Sequence, residues 1–349
     1  MTTDEKYMYR CMQLAKLGAG NVAPNPMVGA VLVYHERIIG EGYHMQYGQA
    51  HAEVNCISNV AEPDMAFIAE AIMYVSLEPC AHYGKTPPCA DLIIAKKIKK
   101  VVIGCRDPFK EVNGKGIEKL QLAGVDVISG VLEKECRQLN KRFFTFHTQN
   151  RPYIILKWAQ TANGKIAAAS GERLLITNHY TNRLVHKWRT EEAGILVGTN
   201  TALLDDPALT NRLWNGKSPV RMIVDINLRL PISLQIFDGQ QPTIIFNAGM
   251  HDETSALQYY QVTEDVSIVH QVLNACYQKN IQSIIVEGGA RLLQAFIDED
   301  DWDEARLITN EKLFIEQGLN APQLLNASLS YSEHIITDRI DYYLKHGAE

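Results

Sequence analysis

The segment 71–89, AIMYVSLEPCAHYGKTPPC, decides how the first part of this chain folds and what it can bind. Residues 71–77 are mostly apolar, which predicts a buried strand. The strand ends at Glu78-Pro79-Cys80, and the residues that follow from Cys89 to position 96 have a helical pattern. The two cysteines therefore flank a loop between a strand and a helix, and both are candidate metal ligands.

A third candidate ligand lies upstream, in His51-Ala52-Glu53, at the predicted start of a helix over residues 52–60. Zinc binds imidazole and thiolate groups, and a catalytic site keeps its fourth position for water. His51, Cys80 and Cys89 fit that rule. Glu53 is placed to take a proton from the water and to protonate a leaving amine. This arrangement is typical of zinc-dependent nucleobase deaminases.

Two other interpretations compete with a catalytic zinc site. The His-x-Glu pair can arise by chance beside two core thiols, or His82 can complete a closed structural site with four protein ligands. The combined pattern of strand end, helix start and ligand type favours the catalytic site. Eight residues separate Cys80 from Cys89, where most such deaminases have two, which argues against a cytidine or tRNA-adenosine deaminase.

Composition narrows the remaining classes of protein. The chain has 349 residues, 46% of them hydrophobic and 21% charged, which is typical of a globular protein with two domains. A net charge of −6 argues against a nucleic-acid partner, although a small anionic substrate needs only a local cluster of Arg or Lys. Seven scattered cysteines do not form a disulfide framework and favour a reducing, cytoplasmic setting. No run approaches the ~20 apolar residues of a membrane span, so we expect no membrane partner.

Strands alternate with helices in both halves of the chain, which predicts an α/β fold for each. We place the boundary near Gln149-Asn150-Arg151-Pro152, giving domains over residues 1–149 and 150–349. The elements predicted in the first half are helices over 4–17, 52–60, 89–96, 117–123 and 132–148, and strands over 28–34, 38–42, 71–77, 100–104 and 125–128. Those predicted in the second half are a helix over 180–190, a second helix after Gly288-Gly289, and strands over 153–156, 194–197, 221–225, 243–247 and 281–286, with an exposed loop over 211–219. No Gly-x-Gly-x-x-Gly follows a strand there, which argues against a Rossmann dinucleotide site.

Several longer motifs resemble a known family, the bifunctional riboflavin-biosynthesis deaminase/reductase. In the first half they are Pro24-Asn25-Pro26-Met27-Val28-Gly29, Gly42-Tyr43-His44, His51-Ala52-Glu53, the run from Glu78 to Cys89, Asp107-Pro108 and Gly114-Lys115-Gly116-Ile117. In the second half they are Arg151-Pro152-Tyr153, Lys157, Ser170-Gly171-Glu172 in outline, Ile176-Thr177, the run from Asp205 to Thr210, and Val286-Glu287-Gly288-Gly289. The resemblance implies a cytidine-deaminase-like three-layer domain followed by a dihydrofolate-reductase-like α/β domain.

The resemblance also implies roles for individual residues. It places Asn25 in the deaminase substrate pocket, where the residue could otherwise be a simple turn between two prolines. It assigns substrate contacts in the reductase to Arg173, Arg189, Leu209, Arg212 and Glu287. It assigns NADPH contacts to Ala159, Leu175, Thr201, Asp205, Gly289, Ala290, Arg291 and Leu292. Without the resemblance, the two residues Thr201 and Asp205 fit helix caps, and Arg189 and Arg212 fit a solvated face.

The reactions implied are deamination of 2,5-diamino-6-(5-phosphoribosylamino)pyrimidin-4-one and NADPH-dependent reduction of the ribosyl group to ribityl. We expect a homo-oligomer that acts on this small phosphoribosyl-pyrimidine. The chain departs from the family at Asn163, where an aspartate is usual, and at Leu175 and Arg173, where an aromatic and a small residue are common. These departures leave open a monofunctional deaminase with a degenerate reductase half.

Overall fold

A computed structural model describes residues 1–83, 87–169, 174–254 and 256–347. The chain divides into two compact units, Met1–Asn150 and Arg151–Glu349. The boundary that we expect from sequence lies one residue earlier, after position 149. Each unit has its own sheet and its own hydrophobic core. Among the helices of the described residues, none combines the length and the apolar character that crossing a membrane requires.

The first unit is built on a five-stranded sheet in the order β2-β1-β3-β4-β5. The strands are β1 Gly29–Tyr34, β2 Arg37–Tyr43, β3 Ile72–Leu77, β4 Lys100–Cys105 and β5 Asp126–Ser129. Strand β1 pairs antiparallel with β2 and β3, whereas β3, β4 and β5 are parallel. The central strands are apolar on both faces, because helices cover both sides of the sheet. This continuous apolar character is why β3 could be predicted from sequence within one residue.

Six helices accompany this sheet: α1 Thr3–Ala15, α2 Ala52–Ser58, α3 Cys89–Ala95, α4 Lys115–Leu122, α5 Glu133–Leu139 and α6 Lys141–Gln149. Residues of α2, α3 and α4 share one core cluster with Leu32 and Val75, and residues of α1, α5 and α6 share another with Val31 and Tyr74. Neighbouring residues of one strand point to opposite faces of a sheet, so the helices form two outer layers. The first unit thus has the three-layer fold that the family resemblance implied, with α2 and α3 side by side on one face.

One predicted helix is wrong in its extent. The sequence predicted a single helix over residues 132–148, and the structure has two, α5 and α6, which meet at Asn140. The Asn140 side chain accepts a hydrogen bond from the Met27 N–H and donates one to the Met27 carbonyl, both at 2.8 Å. A side chain that satisfies a distant backbone in this way favours a break in the helix. The break ties α6 to the loop that contains Asn25.

The second unit is built on a nine-stranded sheet in the order β11-β10-β9-β8-β12-β6-β13-β16-β15. Its strands are β6 Tyr153–Thr161, β8 Gly194–Gly198, β9 Val220–Val224, β10 Thr243–Asn247, β11 Leu257–Gln261, β12 Ser283–Gly288, β13 Glu304–Asn310, β15 Ala327–Ile335 and β16 Asp338–Lys345; β7 Lys165–Ala168 and β14 Gly318–Asn320 form a separate pair. All neighbours from β11 to β13 are parallel, and β16 and β15 add an antiparallel edge.

Four helices lie against this sheet: α7 His179–Glu191, α8 Thr199–Asp205, α9 Ile268–Gln278 and α10 Ala290–Asp298. Residues of α9 and α10 pack with Ile284 and Val286 on one face of β12, and residues of α7 and α8 pack with Ile285 on the other. The alternation of strand and helix did not predict the β15–β16 pair. Strand β15 is mostly exposed and lacks the apolar run of a buried strand.

Candidate active sites

The three predicted metal ligands lie together in the first unit. His51 directly precedes α2, Cys89 begins α3, and Cys80 follows the end of β3. His51 Nδ1 is 3.6 Å from Cys80 Sγ and 3.4 Å from Cys89 Sγ. All three ligand atoms lie within 4.8 Å of one another. The cluster forms because two adjacent helices on one face of the sheet begin next to the end of the same strand.

The local backbone favours the thiolate form of Cys80. The Cys89 N–H donates to Cys80 Sγ at 3.3 Å. The pKa of Cys80 is lowered to about 4, first by the hydrogen bond from the Cys89 side chain and then by the one from His51. The same contact between the two sulfurs raises the pKa of Cys89, and burial adds to that effect. A thiolate is the form of cysteine that binds metal.

Glu53 lies in the first turn of α2, two residues after His51. Its residue exposure is only 3%, and its carboxyl group is near enough to Cys89 to raise the pKa of that thiol. Burial raises the pKa of Glu53, and the neighbouring Cys80 adds to that effect. The carboxyl group is therefore held directly beside the cluster of ligands.

The Glu78-Pro79-Cys80 turn is anchored by the carboxylate of Glu78, which is buried. This carboxylate accepts hydrogen bonds from four backbone N–H groups at 2.9–3.2 Å, those of Asp107, Gly114, Gly116 and Ile117. A Cβ atom at Gly116 would clash with the Pro79 carbonyl oxygen, so only glycine fits there. The motifs at 107–108 and 114–117 thus have a structural explanation: they hold the turn that presents Cys80.

Asn25 is joined to a buried histidine that the sequence did not single out as a site residue. Asn25 Nδ2 is 3.2 Å from His44 Nε2, and His44 Nδ1 is 3.1 Å from the Ala50 carbonyl oxygen. The carbonyl can only accept, so Nδ1 carries the proton and Nε2 accepts from Asn25. Burial lowers the pKa of His44, which favours this neutral form. The centres of the His44 and His51 rings are 5.4 Å apart. His44 therefore contacts both Asn25 and the candidate metal ligand His51.

His82 does not join the cluster, although the sequence allowed it as a fourth ligand. The ligand atoms of His51, Cys80 and Cys89 lie within 4.8 Å of one another, and His82 is not part of this group. His82 Nδ1 is buried and has no hydrogen-bond partner in the described part of the chain. Three protein ligands leave a coordination position for water, which is the arrangement of a catalytic zinc site rather than a closed structural one.

In the second unit, a buried ion-pair network joins the neighbouring parallel strands β6 and β12 to helix α7. Val286 of β12 is in register with Leu156 of β6, so the next residues along, Lys157 and Glu287, lie side by side. Lys157 Nζ is 3.4 Å from Glu287 Oε2, and Arg189 Nε and Nη2 each donate to this carboxylate at 2.8 Å. Burial raises the pKa of Glu287, but Arg189 and Lys157 outweigh it and lower the pKa to about 2.

Arg189 and His186 of α7 contact the loop that follows α8. Arg189 Nη1 donates to the Thr210 carbonyl at 3.1 Å, and the Arg212 N–H donates to His186 Nδ1 at 3.0 Å. The pKa of His186 is lowered to about 4, first by burial and then by Arg189 and Arg212. The structure thus brings the predicted substrate residues Arg189, Arg212 and Glu287 into one neighbourhood that is rich in cations.

The predicted cofactor residues meet at the ends of β8 and β12. A Cβ atom at Gly288 would lie 2.8 Å from Thr201 Cγ2, so a side chain does not fit there. Gly289 has a φ of 77° and precedes α10, which starts at Ala290 and Arg291. The side chain of Leu292 packs near Gly198, at the end of β8. Ligands commonly bind at the carboxyl ends of parallel strands, where such glycines let the backbone approach a phosphate.

The remaining predicted residues have diverse environments. Ala159 is half-buried near the end of β6, and Leu175 is 77% exposed. Asp205 is the last residue of α8, and the side chain of Leu209 belongs to the core, so only its backbone can contact a ligand there. Arg173 and the Ser170-Gly171-Glu172 segment lie outside the described residues.

Asn163 has a structural role that requires an amide group, which can both donate and accept a hydrogen bond. Its Nδ2 donates to the Ile315 carbonyl at 2.8 Å, and its Oδ1 accepts from Thr161 Oγ1 at 2.8 Å. An aspartate at this position could not donate to Ile315. The departure from the family at position 163 is therefore matched by a contact within this chain.

Sequence reasoning missed the parts played by Glu78, His44 and His186. The spacing of His186 and Arg189, one helical turn apart in α7, was a signal that both face the same neighbour. No comparable signal indicated the role of Glu78, because its four hydrogen-bond donors are backbone N–H groups of residues 107–117. They reach Glu78 only when that segment folds back onto the turn.

Two family models match the chain. Residues 1–105 match the cytidine and deoxycytidylate deaminase zinc-binding region, and residues 152–314 match the RibD C-terminal domain. The first of these models contains the ligand cluster and Glu53, and the second contains the ion-pair network and the Gly288-Gly289 turn.

Curated relatives and solved structures are similar over nearly the whole length. The riboflavin biosynthesis protein RibD of Aquifex aeolicus is 39% identical over 97% of this chain and 95% of its own, and that of Escherichia coli is 35% identical over 89% and 88%. A diaminohydroxyphosphoribosylaminopyrimidine deaminase/5-amino-6-(5-phosphoribosylamino)uracil reductase from Thermotoga maritima superposes with a TM-score of 0.89 at 35% identity, over 98% of this chain and 99% of that one. RibD of Acinetobacter baumannii has a TM-score of 0.89 at 30% identity, over 98% of each chain. With its two sites and these relatives, the chain belongs to the family of bifunctional riboflavin-biosynthesis deaminases/reductases.

Proposed function

We propose that the first unit deaminates 2,5-diamino-6-(5-phosphoribosylamino)pyrimidin-4-one with a zinc ion held by His51, Cys80 and Cys89. The observation that carries the proposal is the cluster of one imidazole and two thiol groups within 4.8 Å beside a buried carboxyl group. One nitrogen and two sulfur ligands suit zinc, and no oxygen-rich set for magnesium or calcium is present at this cluster. When bound, zinc supplies a Lewis acid that makes water nucleophilic near neutral pH.

In this mechanism Glu53 carries the protons. Its carboxylate takes a proton from the attacking water and passes it to a ring nitrogen, and a second proton goes to the leaving amine, which departs as ammonia. Burial beside Cys89 keeps Glu53 away from bulk water and fixes its position relative to the substrate ring. Asn25, oriented by neutral His44, is placed to hydrogen-bond the pyrimidine.

For the second unit we propose an NADPH-dependent reduction of the ribosyl group of the deaminated product to ribityl, in which C1 gains a hydride, the bond from C1 to the ring oxygen breaks and that oxygen takes a proton from solvent. Gly288 has no side chain, which lets Thr201 pack against the end of β12, and Gly289 turns the backbone into the start of α10, an arrangement that suits the approach of a cofactor phosphate. Thr201, Gly289, Ala290, Arg291 and Leu292 would hold NADPH there, with Ala159, Leu175 and Asp205 completing the site. NADPH supplies the hydride, and the chain orients it.

The cationic neighbourhood of Arg189 and Arg212 suits the phosphate of the same substrate. Nη1 and Nη2 of Arg189 each make one hydrogen bond within the protein and each carry a second N–H. Arg212 lies in the loop that Arg189 and His186 hold. Leu209 and Glu287 would contact the rest of the substrate, and Arg173 is a further candidate. All seven cysteines are free of disulfide bonds, which suits a cytoplasmic enzyme. The homo-oligomer expected from the sequence stays a prediction.

Metal analysis of matched cysteine variants tests whether the cluster of His51, Cys80 and Cys89 binds zinc. The wild-type protein and Cys276→Ala, which removes a buried thiol in the second unit, should each retain one zinc per chain. Cys80→Ala should lose it together with ammonia release. Stoichiometric zinc in Cys80→Ala would overturn the ligand set. NADPH oxidation upon addition of 5-amino-6-(5-phosphoribosylamino)uracil tests the second reaction independently.

A further inference from the structure

Helix α7 presents two side chains, one helical turn apart, to the loop over residues 209–212. Arg189 binds the Thr210 carbonyl, and His186 Nδ1 accepts the Arg212 N–H at 3.0 Å. His186 is only 3% exposed, so the acceptor side of this part-buried hydrogen bond is shielded from water. Loss of the acceptor costs free energy, and His186 therefore restrains the Arg212 backbone.

The loop needs such restraints because its backbone is strained. Leu209 has a φ of 52°, a conformation that residues with a side chain rarely adopt. Strained backbone persists only where its surroundings impose it. Here the core holds the Leu209 side chain, Arg189 holds Thr210, and His186 holds Arg212.

The hydrogen bond also defines the protonation of His186. A backbone N–H can only donate, so Nδ1 must be unprotonated and the ring proton resides on Nε2. The neighbouring cations Arg189, Arg212 and Lys157 oppose a second proton on the ring, and Glu287 acts in the opposite sense. A neutral imidazole among three cations can thus serve as an acceptor without repelling them.

We propose that His186 is a positioning residue of the reductase: its Nδ1 holds the backbone of Arg212 so that the Arg212 guanidinium can bind the phosphate of the substrate. The inference rests on the proposed reductase function. A competing explanation is a buried histidine that only stabilises the unit. The two differ because positioning acts selectively on the phosphorylated substrate and depends on Arg212.

A pair of amide variants separates these explanations. Asparagine places its Oδ1 close to the position of Nδ1 and can still accept from Arg212, whereas glutamine places its amide near Nε2 and cannot. His186→Gln should raise the KM for 5-amino-6-(5-phosphoribosylamino)uracil about 3- to 10-fold, the loss expected for one neutral hydrogen bond, with kcat changed less. His186→Asn should restore the KM to near the wild-type value. The KM for NADPH and the rate of deamination should stay unchanged in both variants.

A double variant tests the dependence on Arg212. In the Arg212→Ala background, His186→Gln should add no further increase in KM, because the group that it positions is gone. Equal effects of Asn and Gln, a parallel rise in the KM for NADPH, or additive effects with Arg212→Ala would overturn the inference. If His186→Gln does not fold, His186→Ala, which also lacks the acceptor, must show the same selective rise. A wild-type enzyme that does not oxidise NADPH with this substrate would instead refute the proposed reductase function.

Discussion

The two candidate sites of this chain are assembled in opposite ways. In the deaminase unit, His51, Cys80 and Cys89 bring together groups that can bind a metal cation. In the reductase unit, Glu287 is already neutralised by Arg189 and Lys157. Under the proposed function the first site would depend on an added metal ion, whereas the charges of the second stabilise one another within the protein. The difference predicts that changes in the first site affect catalysis most, and that changes in the second also affect folding.

The largest expected effect is on deamination. Glu53→Gln keeps the shape of the side chain but cannot transfer protons, so ammonia release should fall about 10²- to 10⁴-fold, the usual contribution of general acid–base catalysis. Zinc content should stay at one per chain, and NADPH oxidation with the deaminated substrate should be unchanged. Ammonia release near the wild-type rate would show that Glu53 is not the proton carrier.

A change in the ion-pair network should act on stability. Glu287→Gln leaves Arg189 and Lys157 buried without their counter-charge, which should destabilise the second unit by about 3–5 kcal/mol. The four tryptophans, Trp158, Trp188, Trp214 and Trp302, all lie in this unit, so urea denaturation followed by their fluorescence reports on it alone.

The matched control for this experiment is Glu253→Gln, which breaks a solvent-exposed ion pair with Lys279. It should cost less than about 1 kcal/mol, because exposed pairs are screened by water. Similar losses in the two variants would mean that burial does not distinguish the two pairs.

A smaller effect is expected from Arg212→Ala. Loss of a charge-assisted hydrogen bond to phosphate is worth about 1.5–3 kcal/mol, which corresponds to a rise of about 10- to 150-fold in the KM of the reductase for its phosphorylated substrate. The turnover number should change less, as expected when binding is lost equally in the ground and transition states. Unchanged kinetic constants would indicate that Arg212 is only a solvated loop residue. As controls, the zinc content and the rate of deamination should not change.

The smallest effect concerns Asn163. Asn163→Asp loses the donor to the Ile315 carbonyl and places a carboxylate there, which should cost about 1–2 kcal/mol in the same fluorescence-detected denaturation. The wild-type residue should then support full reductase turnover, since its amide serves the contact with Ile315. A more stable or more active Asp variant would instead mark Asn163 as a sign of a degenerate reductase.

Much of the fold could be predicted where the burial of a strand or helix requires a recognisable pattern of apolar residues in the local sequence. Strand β10 was predicted with its observed bounds, and β3 and β8 within one residue, because strands covered on both faces have continuous apolar runs. The helix break at Asn140 and the β15–β16 pair, of which β15 is mostly exposed, escaped prediction. The first depends on the distant backbone of Met27, and the second has no apolar run to reveal it.

By itself the sequence predicted the candidate metal ligands and Glu53, because their residue types and their spacing around a strand end and two helix starts indicate the chemistry, and the structure brings the three ligands together. It also determined the family, through motifs that extend over nearly the whole chain. Only the tertiary structure decided that Lys157 neutralises Glu287, that Glu78 anchors the turn of Cys80, and that His186 holds Arg212. The physical reason is that these partners are far apart in the chain. They meet only after strand register and loop packing are set by contacts throughout each unit.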